Sequence, residues 1–262
     1  CQAVASDGKE METGFDSFGR NQGMEMFDDF DVVPFAKQVA HDAVEMLHAE
    51  PMQGGEMPVV INNGFGGVIL HEACVHGLEA TSVAKGMSVF CNKLGQKVAS
   101  DIVNAVDDGT NLNAWGSINV DDEGTPSKCN VLIENGILKS YLVDKRNSKK
   151  MNHPITGSSR RESYKYQTTS RMTNTYFLNG KSTFDEIIKS TEKGLFAEKM
   201  GGGSVNPATG EFNFAVQVGY MIENGKITKP VKGATLVGSG KDVLLHIDMI
   251  GDNLSCGYGM CG

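Results

Sequence analysis

One short segment, HEACVH at residues 71–76, combines two imidazoles with a carboxylate directly after the first of them. Neutral imidazole nitrogens are ligands of catalytic zinc, and a neighbouring carboxylate can take a proton from a zinc-bound water. The segment therefore predicts that His71 and His76 bind zinc and that Glu72 is the general base. The pattern leaves one alternative open, which is a pair of structural histidines on a partly buried helix.

The spacing of the two histidines constrains the backbone between them. His71 and His76 are five residues apart, one more than in the H-E-x-x-H helix. At about 100° per residue, positions i and i+5 of a regular α-helix point about 140° apart and cannot share one ion. A π-type turn would return both to nearly one face, and Gly77 would alternatively allow the helix to end. We therefore expect irregular backbone between residues 71 and 77.

A catalytic zinc site needs a third protein ligand and one open position for water. Cys256 and Cys261 lie in the glycine-rich segment SCGYGMCG, residues 255–262, which can bring its backbone close to an ion. A thiolate from this segment would complete a site of two histidines and one cysteine. These residues by themselves do not decide which cysteine it is.

The elements around the motif are a strand, a turn and a helix. The run PVVIN, residues 58–62, predicts a buried strand, and Asn63-Gly64 predicts a turn. The run GGVILHEACVHGLEA, residues 66–80, is long and apolar enough for a helix. The candidate zinc ligands would therefore lie on a helix that follows a strand.

Beyond residue 95 the sequence changes to short strand-forming runs separated by turns. Asn135-Gly136 and Asn224-Gly225 each lie between alternating apolar arms, as a type I′ hairpin requires. The run MGGGSVNPATG, residues 200–210, predicts either an edge that admits a second backbone or a bend or bulge. We expect an α+β fold: a largely antiparallel sheet domain with the metal-site helix near its start and a few further helices.

Two further helices are predicted outside the motif. Residues 35–50 have apolar residues at mostly helical spacing, with Pro34 suited to the first turn. Residues 182–193 begin with a capping box formed by Thr183 and Glu186, and Gly194 can end that helix.

The glycine and proline cluster PMQGGEMP, residues 51–58, is the best candidate boundary. We expect residues 1–57 to be the remnant of a preceding domain that ends in an amphipathic helix. Residues 58–262 would be the catalytic domain, truncated at its C-terminal end. Because the chain begins at Cys1 and stops at Gly262 directly after Cys261, we expect truncation at both ends.

Bulk composition excludes several classes of function. The chain has 262 residues, 40% of them hydrophobic, which is enough for a real core. Its net charge of -8 repels phosphate backbones, and no apolar run approaches the roughly 20 residues of a membrane helix. We therefore expect neither nucleic acid nor membrane as partners. Six cysteines in a chain of this length favour a reduced, cytoplasmic setting.

A series of blocks in order resembles the C-terminal half of the TldD/PmbA metalloprotease family, in particular its TldD-type members. The resemblance covers nearly the whole chain after residue 57 and is highly specific. Its blocks are GGVILHEACVHGLEATSVAKG, AVDDGT, GSINVDDEGTP, NVLIENGIL, GSSRRESY, RMTNTY, MGGGSVNPATGEF, KPVKGATLVGSG and GMCG.

The resemblance implies a peptidase with an HExxxH zinc site. His71 and His76 would bind Zn²⁺, Glu72 would be the catalytic carboxylate, and Cys261 of the GMCG block would be the third ligand. Cys256 does not match that block and is expected to be a bystander. One departure is Val75, where TldD-type sequences usually have glycine, so that a positive φ there would strain the backbone.

The implied substrates are peptides or unfolded protein segments, and the implied assembly is a homodimer or a heterodimer with a PmbA-type subunit. PmbA-type members lack the histidine motif, and some are labelled as modulators of DNA gyrase. A non-catalytic modulator subunit is therefore the alternative function. Arg160, Arg161, Arg171 and Asn174 would either bind a substrate carboxylate or form salt bridges.

Overall fold

The computed structural model describes residues 1–206 and 208–259. No helix in this part of the chain is both long and apolar enough to cross a membrane. The α-helices are α1 Met26–Asp29, α2 Val32–Leu47, α3 Val68–Ala73, α4 Ala80–Val83, α5 Lys145–Met151, α6 Phe184–Ser190 and α7 Gly240–Val243. Short 3₁₀ turns cover Phe65–Gly67, Val75–Leu78 and Leu244–His246.

The strands are β1 Gln2–Ser6, β2 Met11–Phe15, β3 Glu50–Pro51, β4 Val59–Ile61, β5 Ala105–Asp108, β6 Cys129–Glu134, β7 Ile137–Leu138, β8 Ser159–Arg160, β9 Thr169–Ser170, β10 Thr175–Phe177, β11 Lys193–Val205, β12 Glu211–Glu223, β13 Lys226–Lys232 and β14 Thr235–Ser239.

Most of these strands belong to two sheets. The main sheet has the order β3-β13-β12-β11-β4, with β14 also pairing with β12, and the second sheet has the order β10-β5-β6-β7. Pairing is antiparallel throughout, except that β4 and β3 at the two ends of the main sheet run parallel to their neighbours. The expected α+β fold with largely antiparallel sheets is confirmed.

Both predicted hairpins are present. Asn135 and Gly136, between β6 and β7, have φ values of 48° and 75°. Asn224 and Gly225, between β12 and β13, have φ values of 52° and 68°. Positive φ at both central residues is the requirement of a type I′ turn, and its twist matches that of the flanking strands.

Strand β4 confirms the strand predicted at residues 58–62, but its environment differs from the expectation. It is an edge strand that pairs with β11 over Leu195–Ala197, and Val59 is exposed. An apolar run of this length looks the same at an edge as in the middle of a sheet, so the sequence could not distinguish the two.

Helix α2 begins three residues before the predicted start, because Asp31 caps it by accepting a hydrogen bond from the backbone N–H of Val33 at 2.9 Å. It ends at Leu47, three residues before the predicted end. The residues that follow turn into strand β3, which pairs with β13.

The capping box of α6 is confirmed, since the Thr183 side chain and the Glu186 side chain each bond to the other residue's backbone N–H. The prediction that Gly194 ends this helix is wrong. The helix ends at Ser190, and Gly194 lies in β11. A side chain there would overlap the carbonyl oxygen of Pro58, so glycine permits a close approach of two backbones.

The first 57 residues contact the main sheet directly. Met46 of α2 packs with Val218 of β12. The Lys199 ammonium on β11 lies 2.8 Å from a carboxylate oxygen of Asp16 and 2.7 Å from one of Asp42. That these residues are the remnant of a preceding domain stays a prediction.

Helix α3, which carries the histidine motif, lies between the two main apolar clusters. Ile69 and Ala73 belong to the cluster formed with β11 and β12. Leu70 and Cys74 belong to the cluster formed with β5, β6 and β7, and both are fully buried. Because both flanks of this short helix are packed, its position is fixed from two directions.

We expect Gly240→Ala to lower the free energy of unfolding by about 3 kcal/mol, because a methyl group there would overlap the carbonyl oxygen of Ala73 at the end of α3. Urea denaturation measures this change. Gly67→Ala is the matched control on the other end of α3, where the φ of -57° suits alanine and no atom lies within 4 Å of the added carbon. It should raise stability by about 0.5 kcal/mol. Equal stabilities for the two variants would contradict the close packing of α7 on α3.

Candidate metal centre

The backbone of the histidine motif is irregular, as its spacing predicts. Helix α3 ends at Ala73, Cys74 has φ -128° and ψ -61°, and a 3₁₀ turn then covers Val75–Leu78. The single helix expected over residues 66–80 is therefore wrong. Instead of a π-type turn or an end at Gly77, the chain tightens, with the Gly77 N–H donating to the Cys74 carbonyl at 2.9 Å.

Val75 carries no left-handed strain. It lies in the 3₁₀ turn, its side chain is fully buried, and the positive-φ residues of the described chain are at other positions. The adjacent Cys74 is also fully buried, and burial raises the pKa of its thiol to about 12. Cys74 is therefore a neutral core residue, even though it lies inside the motif.

The break at Cys74 brings the two histidines together. The ring centroids of His71 and His76 are 4.8 Å apart, and the rings are nearly perpendicular. Among the described residues, potential ligand atoms of His71, Glu72 and His76 all lie within 4.8 Å of one another. Nε2 of His76 is 3.6 Å from Oε2 of Glu72. Two imidazoles and a carboxylate within reach of one another form a donor set that fits zinc.

Each imidazole also has a second polar neighbour that the sequence analysis missed. Nδ1 of His76 lies 3.2 Å from Oε1 of Glu79, and Nδ1 of His71 lies 3.5 Å from the Thr175 hydroxyl on β10. Glu79 follows His76 by three residues, and a 3₁₀ turn brings residues i and i+3 onto one face. The contact could therefore be predicted from the sequence only if the turn were already known to be 3₁₀. Thr175 is 104 residues from His71 and gives no local signal.

Burial sets the protonation of the motif. Burial is the largest cause, and the charge that a protonated His76 would carry and the charges of Arg171 and Arg160 add to it, so that the pKa of His71 falls to about 3. Burial raises the pKa of Glu72, against the opposing effect of His76 and Arg171. A neutral imidazole is the form that binds a metal, and a carboxylate with a raised pKa is a better proton acceptor.

The cysteine predictions concern the last residues. Cys261 lies outside the described residues. Cys256 is exposed, and its backbone forms a parallel bridge with Gly64. The segment that follows passes the start of the motif region, because Gly257 lies against the backbone of Phe65 and Gly259 against its ring.

The polar blocks RRE and RMTN contribute mainly internal contacts. Arg161 donates to the Asp122 carbonyl at 3.2 Å, and Nη1 of Arg171 lies 3.9 Å from Oε1 of Glu79. The Asn174 amide accepts from the Gly116 N–H at 2.9 Å and donates to the Asp108 carbonyl at 2.7 Å, which ties the 110–117 loop to β10.

His71 and Glu72 open onto a cleft of about 2160 Å³. The cleft is also lined by β4, by residues 111–116 and 173–179, by the glycines Gly201–Gly203 of β11 and by residues 253–259. The two motif side chains thus line this cleft.

Comparison with known proteins relates residues 54–262 to the PmbA/TldA metallopeptidase C-terminal domain. The chain is 48% identical to a metalloprotease TldD homolog of Haemophilus influenzae over 94% of this chain and 52% of the relative. It is 30% identical to a zinc metalloprotease TldD homolog of Saccharolobus solfataricus over 90% of this chain and 53% of the relative. The chain therefore spans about half the length of these curated relatives.

Among solved structures, the fold is similar to that of a Thermotoga maritima protein named as a proposed modulator of a DNA gyrase. The TM-score is 0.81 at 24% identity, covering 97% of this chain and 57% of that one. At this identity the likeness concerns the fold.

We expect His71 in the metal-free, full-length protein to titrate with a pKa of about 3, far below its ordinary 6.5. The folded state binds a proton at His71 less readily than the unfolded state does. The contribution of His71 to the free energy of unfolding is therefore fully present above pH 6.5 and is lost as the pH drops towards 3. His71→Gln should reduce this slope by about 1 kcal/mol per pH unit between pH 6 and 4. NMR titration and urea denaturation across pH measure both effects. A His71 pKa near 6.5 would refute the role of burial.

Proposed function

Since the chain belongs to the PmbA/TldA metallopeptidase family, we propose that it is the metal-bearing part of a zinc peptidase. In this proposal His71 and His76 bind Zn²⁺, and Glu72 is the general base. The substrates are peptides or unfolded protein segments, whose peptide bonds the enzyme hydrolyses. The name of the zinc metalloprotease TldD homolog among its relatives supports the choice of metal.

The convergence of His71 and His76 carries the proposal. Five residues of regular α-helix would separate these side chains, yet their ring centroids lie 4.8 Å apart, with the Glu72 carboxylate beside them. On an uninterrupted helix the two histidines could not share one ion, so the break at Cys74 makes a common site possible. The same break leaves Glu72 facing a cleft in which a substrate could lie.

Zinc at this site would supply a Lewis acid that lowers the pKa of water and polarises a carbonyl group. His71 remains neutral because it is buried, and it therefore offers a nitrogen lone pair at any pH near neutrality. Glu72 takes the proton of the attacking water, for which its raised pKa is suited, and then returns a proton to the leaving amine.

Cys261 remains our proposed third ligand. Gly259 packs against the ring of Phe65, which precedes His71 by six residues. Cys261 follows Gly259 by two residues in the sequence. Cys256 is exposed and lies outside the cluster of potential ligands found among the described residues.

A peptide substrate would bind in extended form along β11. Strand β4 pairs with β11 only over Leu195–Ala197, and Gly201–Gly203 line the cleft beyond it. Small residues allow another backbone to approach, and main-chain hydrogen bonds would hold substrates of many sequences. The pairing of β11 with β12 is also irregular between Met200 and Gly203, so the run forms a bulge as well.

The proposed setting and assembly follow from the same family. We propose a cytoplasmic protein, in keeping with free thiols at the five described cysteines. Its partner would be a second copy or a PmbA-type subunit. A non-catalytic, gyrase-modulator-like subunit is the alternative function, and metal content together with peptide cleavage distinguishes the two.

We expect the full-length protein to bind about one zinc per chain and to cleave an unstructured peptide. Glu72→Gln should lower kcat at least about a hundredfold, because no base then accepts the proton of water, and should keep the metal. Metal analysis and a fluorescent peptide assay measure the two quantities. Glu134→Gln, on β6 beside Lys139, is a control for loss of one carboxylate outside the cleft and should leave kcat unchanged.

Cleavage by Glu72→Gln at the wild-type rate would show that Glu72 is not the base. A wild-type protein with neither zinc nor cleavage would favour the modulator alternative.

A further inference from the structure

We propose that Glu79 is a positioning residue that holds the proton of His76 on Nδ1 and so directs the Nε2 lone pair towards the metal position. The inference rests on the proposed function in one respect, which is that His76 is a ligand. Nothing in the H-E-x-x-x-H pattern includes Glu79.

The 3₁₀ turn places the two side chains on one face. A 3₁₀ helix has three residues per turn, so residues i and i+3 lie above one another. The Glu79 N–H donates to the His76 carbonyl at 3.4 Å, which continues this i to i+3 pattern to the end of the turn. In a regular α-helix the same residues would be offset by about 60°.

The contact between the side chains decides which nitrogen of His76 holds the proton. Oε1 of Glu79 lies 3.2 Å from Nδ1 of His76. An ionised carboxylate only accepts hydrogen bonds, so Nδ1 must be the protonated nitrogen of the neutral ring. Nε2 is then the unprotonated nitrogen, and it is this atom that lies 3.6 Å from Oε2 of Glu72. Metal-binding histidines commonly have such a carboxylate at the other ring nitrogen.

The backbone around Glu79 is held rigidly. Leu78 and Ala80 are fully buried. Leu142 accepts from the Ala80 N–H at 2.8 Å and donates to the Leu78 carbonyl at 3.0 Å, so that it clamps both sides of Glu79. A carboxylate on such a fixed segment can fix the ring of its neighbour as well.

The side chain of Glu79 has no role in capping the helix that it precedes. It stands directly before α4, yet it makes no capping hydrogen bond there. It is buried, and Nη1 of Arg171 lies 3.9 Å from its Oε1. An ion pair with Arg171 is the competing explanation, but that distance is longer than the 3.2 Å to Nδ1.

The test uses the full-length protein and Glu79→Gln, which keeps the volume of the side chain and removes its charge. Nitrogen-15 NMR of the metal-free protein reports the His76 tautomer, and competition with a chelator reports zinc affinity. We expect an Nδ1–H tautomer in the wild type and a shift towards Nε2–H in the variant. Zinc binding by the variant should be about 10- to 100-fold weaker.

A merely structural role would lower the unfolding temperature and leave both the tautomer and the zinc affinity unchanged, and this outcome overturns the proposal. If Glu79→Gln does not fold, Glu79→Asp, which keeps the charge but draws the oxygen away from Nδ1, is expected to change both readouts in the same direction. If the wild type binds no zinc, the proposed function fails, while the tautomer comparison still decides the role of Glu79.

Discussion

The packing of helix α3 between two apolar clusters is the constraint on which the site depends. Ile69 and Ala73 face the main sheet, and Leu70 and Cys74 face the second one. A helix of six residues has little stability of its own, so tertiary packing holds it in place. Its remaining face carries His71 and Glu72 into the cleft. The site is therefore located where the two sheets meet, and neither sheet could form it alone.

The same packing explains why the helix stops at Cys74. Cys74, Val75 and Leu78 are all fully buried in the cluster around the second sheet. The change of backbone direction at Cys74 lets this apolar run enter the core, while His76 turns back towards His71. One irregular residue thus serves both the core and the site. Irregular turns within helices are frequent at functional positions for this kind of reason.

Burial has opposite effects on the two groups that the chemistry needs. It disfavours the charged form of each, which lowers the pKa of His71 and raises that of Glu72. Both shifts favour the forms required of a ligand and a base. Buried polar groups need hydrogen-bonding or charged partners. Thr175 lies beside His71, Glu79 lies beside His76, and Arg171 lies beside Glu79.

The sequence by itself determined the local features: the donor types at residues 71–76, the irregular backbone between His71 and His76, the two Asn-Gly hairpins and the capping box of α6. Each depends on residues that are neighbours in the chain. The failures share one cause. Glycine is common at helix ends, but Gly194 is needed for the close approach of the chain before β4. The apolar run of residues 66–80 is interrupted because its side chains pack into two different apolar clusters. Only the tertiary structure decided that Thr175 would face His71 and that Arg171 would lie beside Glu79, because contacts across about 100 residues depend on how the sheets pack and leave no periodic signal in the sequence.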